Sequence, residues 1–313
     1  MRKLTALVLL LAACGENGED LKVTPVNVDG ARAYADLVDL CANYGDRRIG
    51  TVGSKGARDW IVSQLEPLGW QFEEDKFIAQ PPEGARRKGP IEGCNLLARW
   101  PGTQPGEIWL ASHYDTFDMP GFVGANDSGS STTLLVEFGR QLAKETPRSG
   151  PSLVLCWFDG EERFPPIAWD NKTNSTFGSR HLATRLKDEG KIGNISAFIL
   201  LDMVGDEKLG LFVESTSTGW IEDVFRRTAR GLGEHQLIVG NREINDDHIP
   251  FRNAGVPFIN LIDFHFGPGH SWWHTREDTV SHCSAESLAR TGQLVLSALG
   301  EIEKRAKPRG AKN

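Results

Sequence analysis

Residues 108–115 read Ile108-Trp109-Leu110-Ala111-Ser112-His113-Tyr114-Asp115. A short, unbroken apolar run is the pattern of a strand buried on both faces, and here it hands over polar groups at its carboxyl end. The pattern recurs. Leu153-Val154-Leu155-Cys156-Trp157-Phe158 runs into Asp159-Gly160-Glu161-Glu162. Ala197 to Met203 contains Phe198-Ile199-Leu200-Leu201 followed by Asp202, with Asp206 four residues on. Pro257 to Ile262 leads through a loop to Trp272-Trp273-His274-Thr275. After the first of these runs, Gly124-Ala125-Asn126-Asp127-Ser128-Gly129 opens a helical segment.

Working outward, further strands are expected at Trp70 to Phe77, Asn95 to Trp100 and Leu209 to Val213. Helices are expected at 29–43, 54–68, 129–145, 177–188, 218–231 and 284–305. Strands alternating with helices predict an α/β fold around a largely parallel sheet. No linker-like stretch interrupts 29–306, which reads as a single catalytic domain followed by a polar tail, 307–313.

The 313 residues are 39% hydrophobic and 25% charged, the balance of an ordinary globular chain. Nine Trp and fifteen Phe can fill a sizeable core, which excludes a mainly disordered chain. Thirty-five Lys and Arg against forty-two Asp and Glu leave a formal charge of −7, so there is no basic excess to neutralise a phosphate backbone, and nucleic acid is excluded as a partner.

The amino terminus reads as a leader. Arg2 and Lys3 precede an apolar run, Leu4 to Ala13, too short to span a bilayer. It ends in Leu11-Ala12-Ala13-Cys14, which resembles a bacterial lipoprotein signal with Cys14 lipidated; the other reading is a plain secretory signal with an incidental cysteine. Residues 1–13 would then be removed and 14–28 would form a polar tether. The expected product is an exported, cell-envelope lipoprotein, monomeric, meeting the membrane only through its lipid. Cys41, Cys94, Cys156 and Cys283 allow three full pairings, with no choice among them from sequence. None has zinc-finger spacing.

In open α/β sheets, ligands collect beyond the carboxyl ends of the strands. Taken singly, Asp127 reads equally well as a helix N-cap, His113 as a hydrogen-bonded core histidine, and Glu161-Glu162 as solvated surface. Jointly, four successive apolar strands each deliver a carboxylate or imidazole at the same end. Carboxylate and imidazole without thiolate suit a catalytic zinc with an open position.

The set His113-x-Asp115, Asn126-Asp127, Glu161-Glu162, Asp202 and His274 resembles the zinc-exopeptidase clan of bacterial aminopeptidases. That resemblance implies a three-layer fold, a central mixed, mostly parallel sheet flanked by helices. It also implies two zinc ions held by His113, Asp127, Glu162, Asp202 and His274, with Asp127 bridging, Glu161 as general base and Asp115 orienting His113. A second resemblance is to glutaminyl-peptide cyclotransferases, single-zinc members of the same fold. Phe158-Asp159-Gly160-Glu161-Glu162 with Trp169 and Phe177-Gly178-Ser179-Arg180-His181 carries it. So do Asp246-Asp247-His248-Ile249-Pro250-Phe251 and Trp273-His274-Thr275. It implies one zinc on Asp127, Glu162 and His274, with His113 and Asp202 left as second-metal candidates. Glu161 would move the proton, Asp202 and Asp247 would form a hydrogen-bonded carboxylate network beside it, and Trp169 and Trp273 would line the substrate pocket. The substrate would be the N-terminal Gln or Glu of a peptide or protein, converted to pyroglutamate; the alternative is a two-zinc aminopeptidase. Two features depart from the cyclase pattern. Phe264 to Ser271 is longer and more polar than the usual loop, and Asn245 stands where an apolar pocket residue is expected. His265, His270 and His282 match no motif role and are expected on loops or the surface.

Overall fold

The computed structural model describes residues 23–144, 147–168 and 173–309. Eight strands form one sheet: β1 (Gln71–Ala79), β2 (Ile91–Trp100), β3 (Gly102–His113), β4 (Arg148–Phe158), β5 (Ile195–Asp202), β6 (Leu211–Glu214), β7 (Ile238–Arg242) and β8 (Phe258–Ile262). Their spatial order is β1-β2-β4-β3-β5-β8-β6-β7. The inner four, β4-β3-β5-β8, are mutually parallel; β1, β2 and β6 join antiparallel, and β7 lies parallel to β6 at the far edge.

The carboxyl-terminal halves of β3 and β4, and nearly all of β5 and β8, are apolar and buried because each is covered on both faces. Ile108 and Leu110 of β3 face one core, together with Leu153, Leu155, Ile199 and Leu201. That core takes side chains from α1 (Gly30–Tyr44), α2 (Val52–Leu65), α3 (Ser131–Leu142), α5 (Gly219–Gly231) and α7 (Ala285–Arg305). Trp109 and Ala111 point the other way, with Val154, Cys156, Phe198 and Leu200, against α4 (Phe177–Asp188) and α6 (His248–Asn253). The period-2 alternation thus splits every inner strand between two helical layers. Three helix starts, those of α1, α2 and α7, are capped by side chains. Asp29, Thr51 and Ser284 accept from the backbone N–H of Arg32, Ser54 and Ser287 at 2.9, 3.1 and 3.1 Å.

The structure adds β7 and α6, which the sequence reading lacked, and extends β4 back to Arg148 through Gly150 and Pro151. The folded body also starts before residue 29. Val28 is buried and the Val26 N–H donates to Ser297 Oγ at 3.0 Å, so the end of the expected tether is docked. In the expected tail, the Arg309 N–H donates to the Gly193 carbonyl at 2.9 Å. All four described cysteines are buried free thiols. Among the described residues, no helix is long and apolar enough to cross a membrane. Cys14 and the leader lie outside the described residues, as does Trp169.

Candidate metal and catalytic site

Parallel pairing aligns the carboxyl ends of the inner strands: His113 stands opposite Phe158, and Asp202 opposite Ile262. The polar residues that end or follow these strands therefore meet at one edge of the sheet. His113 Nε2 lies 3.1 Å from Asp127 Oδ1 and 3.4 Å from Asp202 Oδ1. His274 Nε2 lies 3.3 Å from Asp127 Oδ2 and 3.1 Å from Glu162 Oε2. Two donor triads result, His113-Asp127-Asp202 and Asp127-Glu162-His274, each with its ligand atoms within 4.8 Å of one another and Asp127 common to both.

The supports of this cluster are local and specific. Asp115 accepts the backbone N–H of Glu161 at 3.0 Å and of Glu162 at 3.2 Å, while its Oδ1 stands 3.4 Å from His113 Nδ1. It holds the turn after β4 as well as the imidazole. Gly160 makes that turn at φ 67°, and a Cβ there would lie 2.8 Å from Ile49 Cδ1. Asp278, which the sequence reading missed, accepts the N–H groups of Asn126 and Asp127 at 2.7 and 3.1 Å. Arg47 is wholly buried and donates to the carbonyls of Tyr114, Val123 and Gly124, each at 2.9 Å, which fastens the loop between β3 and Asp127. His274 sits at φ 53°, an uncommon conformation for a residue other than glycine, of the kind that collects at functional sites. Its ring is sandwiched between Phe117 (4.0 Å, 5° between planes) and Trp273 (4.0 Å, 19°). Phe117 carried no sequence signal, since a Phe in a loop is indistinguishable from any core aromatic.

The electrostatics are those of crowded carboxylates away from water. Burial pushes Glu161 well above its ordinary range, and although His113 opposes this, the charges of Glu162, Asp246 and Asp247 add to it. Burial likewise lifts Glu162 and Asp246 to about 7, and raises Asp202 and Asp247. Burial works against a charged imidazole at His274, but Glu162 and Asp127 outweigh it and lift the group to about 9. His113 is raised in the same way by Asp115, Asp127 and Asp202. For Asp127, burial raises the carboxyl, but its contacts with His113 and His274 prevail and hold it below the ordinary value.

The donor set fits zinc. Both oxygens of Glu162, Oδ1 of Asp202 and both ring nitrogens of His113 are buried without a hydrogen bond, although they lie close to other donors. Atoms that converge side by side without pointing at one another are arranged around a shared centre. A divalent cation there would replace the protons that the crowded carboxylates now favour on the imidazoles. Three protein ligands of carboxylate and imidazole type leave the open position of a catalytic zinc.

A cavity of about 220 Å³ opens over the cluster, lined by Asp127, Glu161, Asp202, Ile262, Trp273 and His274. Asn245 and Phe264 also line it, so both departures from the cyclase pattern fall at the pocket. One sequence expectation needs correcting. No hydrogen bond joins Glu161, Asp202 and Asp247 among the described residues: Asp202 turns to His113, and the buried oxygens of Asp247 have no hydrogen-bond partner. Asp247 acts on Glu161 through space instead. His270 and His282 lie in loop turns, as expected; the His270 ring stacks on Trp273 at 5.1 Å and burial lowers it to about 4, and His282 stacks on Trp272 at 3.6 Å.

A family model described as peptidase family M28 matches residues 95–299. The chain belongs to this family. It is 32% identical over 272 residues to a glutaminyl-peptide cyclotransferase of Drosophila melanogaster, covering 78% of this chain and 74% of the relative. The crystal structure of an Acidobacteriales bacterium glutaminyl cyclase is similar at 34% identity and a TM-score of 0.82, covering 91% of this chain and 98% of that one. A Zn-dependent exopeptidase from Parabacteroides distasonis shares the fold at 23% identity and a TM-score of 0.76, covering 90% of this chain and 100% of that one. The described fold is therefore shared with a glutaminyl cyclase and with a Zn-dependent exopeptidase.

Proposed function

We propose that this protein is a zinc-dependent glutaminyl-peptide cyclotransferase, converting an N-terminal Gln or Glu of a peptide to pyroglutamate, with ammonia leaving in the Gln case. The observation that carries the reading is the grouping of Glu161, His274 and Trp273 in one small cavity, in a chain whose relatives bear that activity in their names. Asp127, Glu162 and His274 would hold a single zinc, which when bound supplies Lewis acidity to a carbonyl oxygen. The protein's own part is proton movement. The α-amine must lose a proton before it attacks the γ-amide carbon, and the departing nitrogen must gain one. Glu161, whose proton affinity is raised by burial and by neighbouring carboxylates, can as the carboxylate accept the first proton and return it in the second step. Asp202 and Asp247 would tune that proton affinity by charge. No external nucleophile is required, so a narrow, dry pocket is an advantage. Trp273 supplies one wall, and Trp169 is proposed as the other.

A second reading, a two-zinc aminopeptidase, is favoured by one observation: the His113-Asp127-Asp202 triad is also complete. One experiment separates the two. Incubated with a Gln-initiated peptide, a cyclase removes the mass of ammonia and an aminopeptidase removes a whole residue; zinc content of one or two per chain agrees with one or the other.

Trp273→Ala is expected to lower kcat/KM for Gln-peptides by about tenfold or more, roughly 1.4 kcal/mol of transition-state binding, with zinc retained. Normal cyclisation by this variant would remove Trp273 from the pocket wall.

Cys14 is proposed as a lipid anchor on the strength of Leu11-Ala12-Ala13-Cys14 alone. Each buried methylene adds about 0.8 kcal/mol of membrane affinity, so two or more acyl chains hold firmly. Cys14→Ser should move the protein from the membrane to the soluble fraction; unchanged fractionation would refute the anchor.

A further inference from the structure

The cavity over Glu161 and His274 is too small for more than the head of a peptide, so the rest of any substrate has to leave it along the surface. A second cavity, of about 890 Å³, abuts the first, and Asn245 and Asp246 line both. It lies between α4 and the 245–254 segment that contains α6. Its ionisable lining is Arg180, Lys187 and Arg252, with Asp246 alone as acid, and Asp246 is buried.

None of the three cations forms an ion pair among the described residues. Arg180 donates to the carbonyls of Thr173, Ser175 and Thr176, and its guanidinium lies over the Phe177 ring at 4.8 Å. Arg252 donates to Thr216 Oγ1 at 3.0 Å. Lys187 is exposed on the last turn of α4. By contrast, Arg185 on the same helix meets Glu73 and Glu189, and Arg226 on α5 meets Glu222. The chain as a whole carries −7. Three cations without an ion pair among the described residues thus gather around one groove that adjoins the reaction cavity.

Resting on the cyclase reading of the site, we propose that this groove binds the substrate chain beyond its first residue and selects peptides with acidic side chains a few positions after the N-terminal Gln. Asn245, the polar residue at the junction, would sit beside the first peptide bonds after the cyclising residue. Contacts this far from the reacting atoms hold ground state and transition state alike, so the preference should appear in KM and leave kcat alone.

The test compares three peptides, Gln-Ala-Glu-Glu-Ala, Gln-Ala-Ala-Ala-Ala and Gln-Ala-Lys-Lys-Ala, on the wild-type protein and on a Lys187→Glu/Arg252→Glu variant, at low and high salt. The ratio of acidic to lysine kcat/KM is the readout, because it cancels any general loss in the variant. At low salt the wild type should favour the acidic peptide by about five- to tenfold, the scale of one or two exposed ion pairs. The ratio should shrink at high salt, as screening requires, and fall to one or below in the variant. Equal rates in the wild type, or a preference that survives both salt and charge reversal, would overturn the groove while leaving the cyclase reading intact. If the wild type cyclises none of the three, the reading of the site falls, and the groove with it.

Discussion

Glu161→Gln is expected to lower turnover by about 10²–10⁴-fold, the range supplied by a positioned general acid–base group, while zinc content stays at the wild-type value. Glutamine keeps the length and shape of the side chain but can neither take nor return a proton. Glu161 belongs to neither donor triad, although its neighbour Glu162 completes one of them. Its backbone N–H is held by Asp115, so the turn should survive the change. The check is single-turnover cyclisation of a Gln-peptide beside zinc stoichiometry on the same sample. Near-normal turnover with full zinc would remove Glu161 from proton transfer.

The second large effect concerns the metal. His274→Ala and Asp127→Ala each remove one of three proposed ligands. Loss of a mere supporting partner costs about 10–100-fold in metal affinity, so loss of a ligand should exceed about 100-fold and abolish activity. His274 carries a complication, because its φ of 53° suits alanine poorly. His274→Asn keeps tolerance of that backbone and still lacks the imidazole, which separates ligand loss from backbone strain. Zinc content after dialysis against a weak chelator is the measurement. If all these variants keep stoichiometric zinc, His113 and Asp202 are the principal holders.

How much of this was legible in the sequence follows burial. The inner strands β3, β4, β5 and β8 wrote themselves as apolar runs because helices cover them on both faces. β7 did not, because it is an edge strand whose residues are mostly half-buried or exposed, and Ile238-Val239-Gly240-Asn241-Arg242 has no clean alternation. α6 is six residues with Pro250 inside, too short to show a helical period. The site divides the same way. His113, Asp127, Glu161, Glu162, Asp202 and His274 were readable because strand ends and a helix start announce where side chains go, and the parallel register then brings them together. Asp278, Arg47 and Phe117 were not, since each acts through partners from 67 to 157 positions away, as Asp278 does on Asn126 at a separation of 152. Glu161, Asp202 and Asp247 were placed in the right neighbourhood, but a hydrogen-bond network among them depends on side-chain direction, which spacing does not encode.

The hydrogen bonds from Asn126 and Asp127 to Asp278 also bear on the order in which the molecule is assembled. Two proposed zinc donors, Asp127 and Glu162, lie in the first 162 residues, whereas His274 and the brace Asp278 arrive only within the last 40. A chain interrupted before residue 274 holds neither the third donor nor the clamp that sets Asp127. On the single-zinc reading, ion capture by Asp127, Glu162 and His274 would therefore wait until the carboxyl-terminal segment has closed onto the sheet. A chain cut before residue 274 would keep the donors of the other triad, His113, Asp127 and Asp202, but would lack this site however well its first strands have paired.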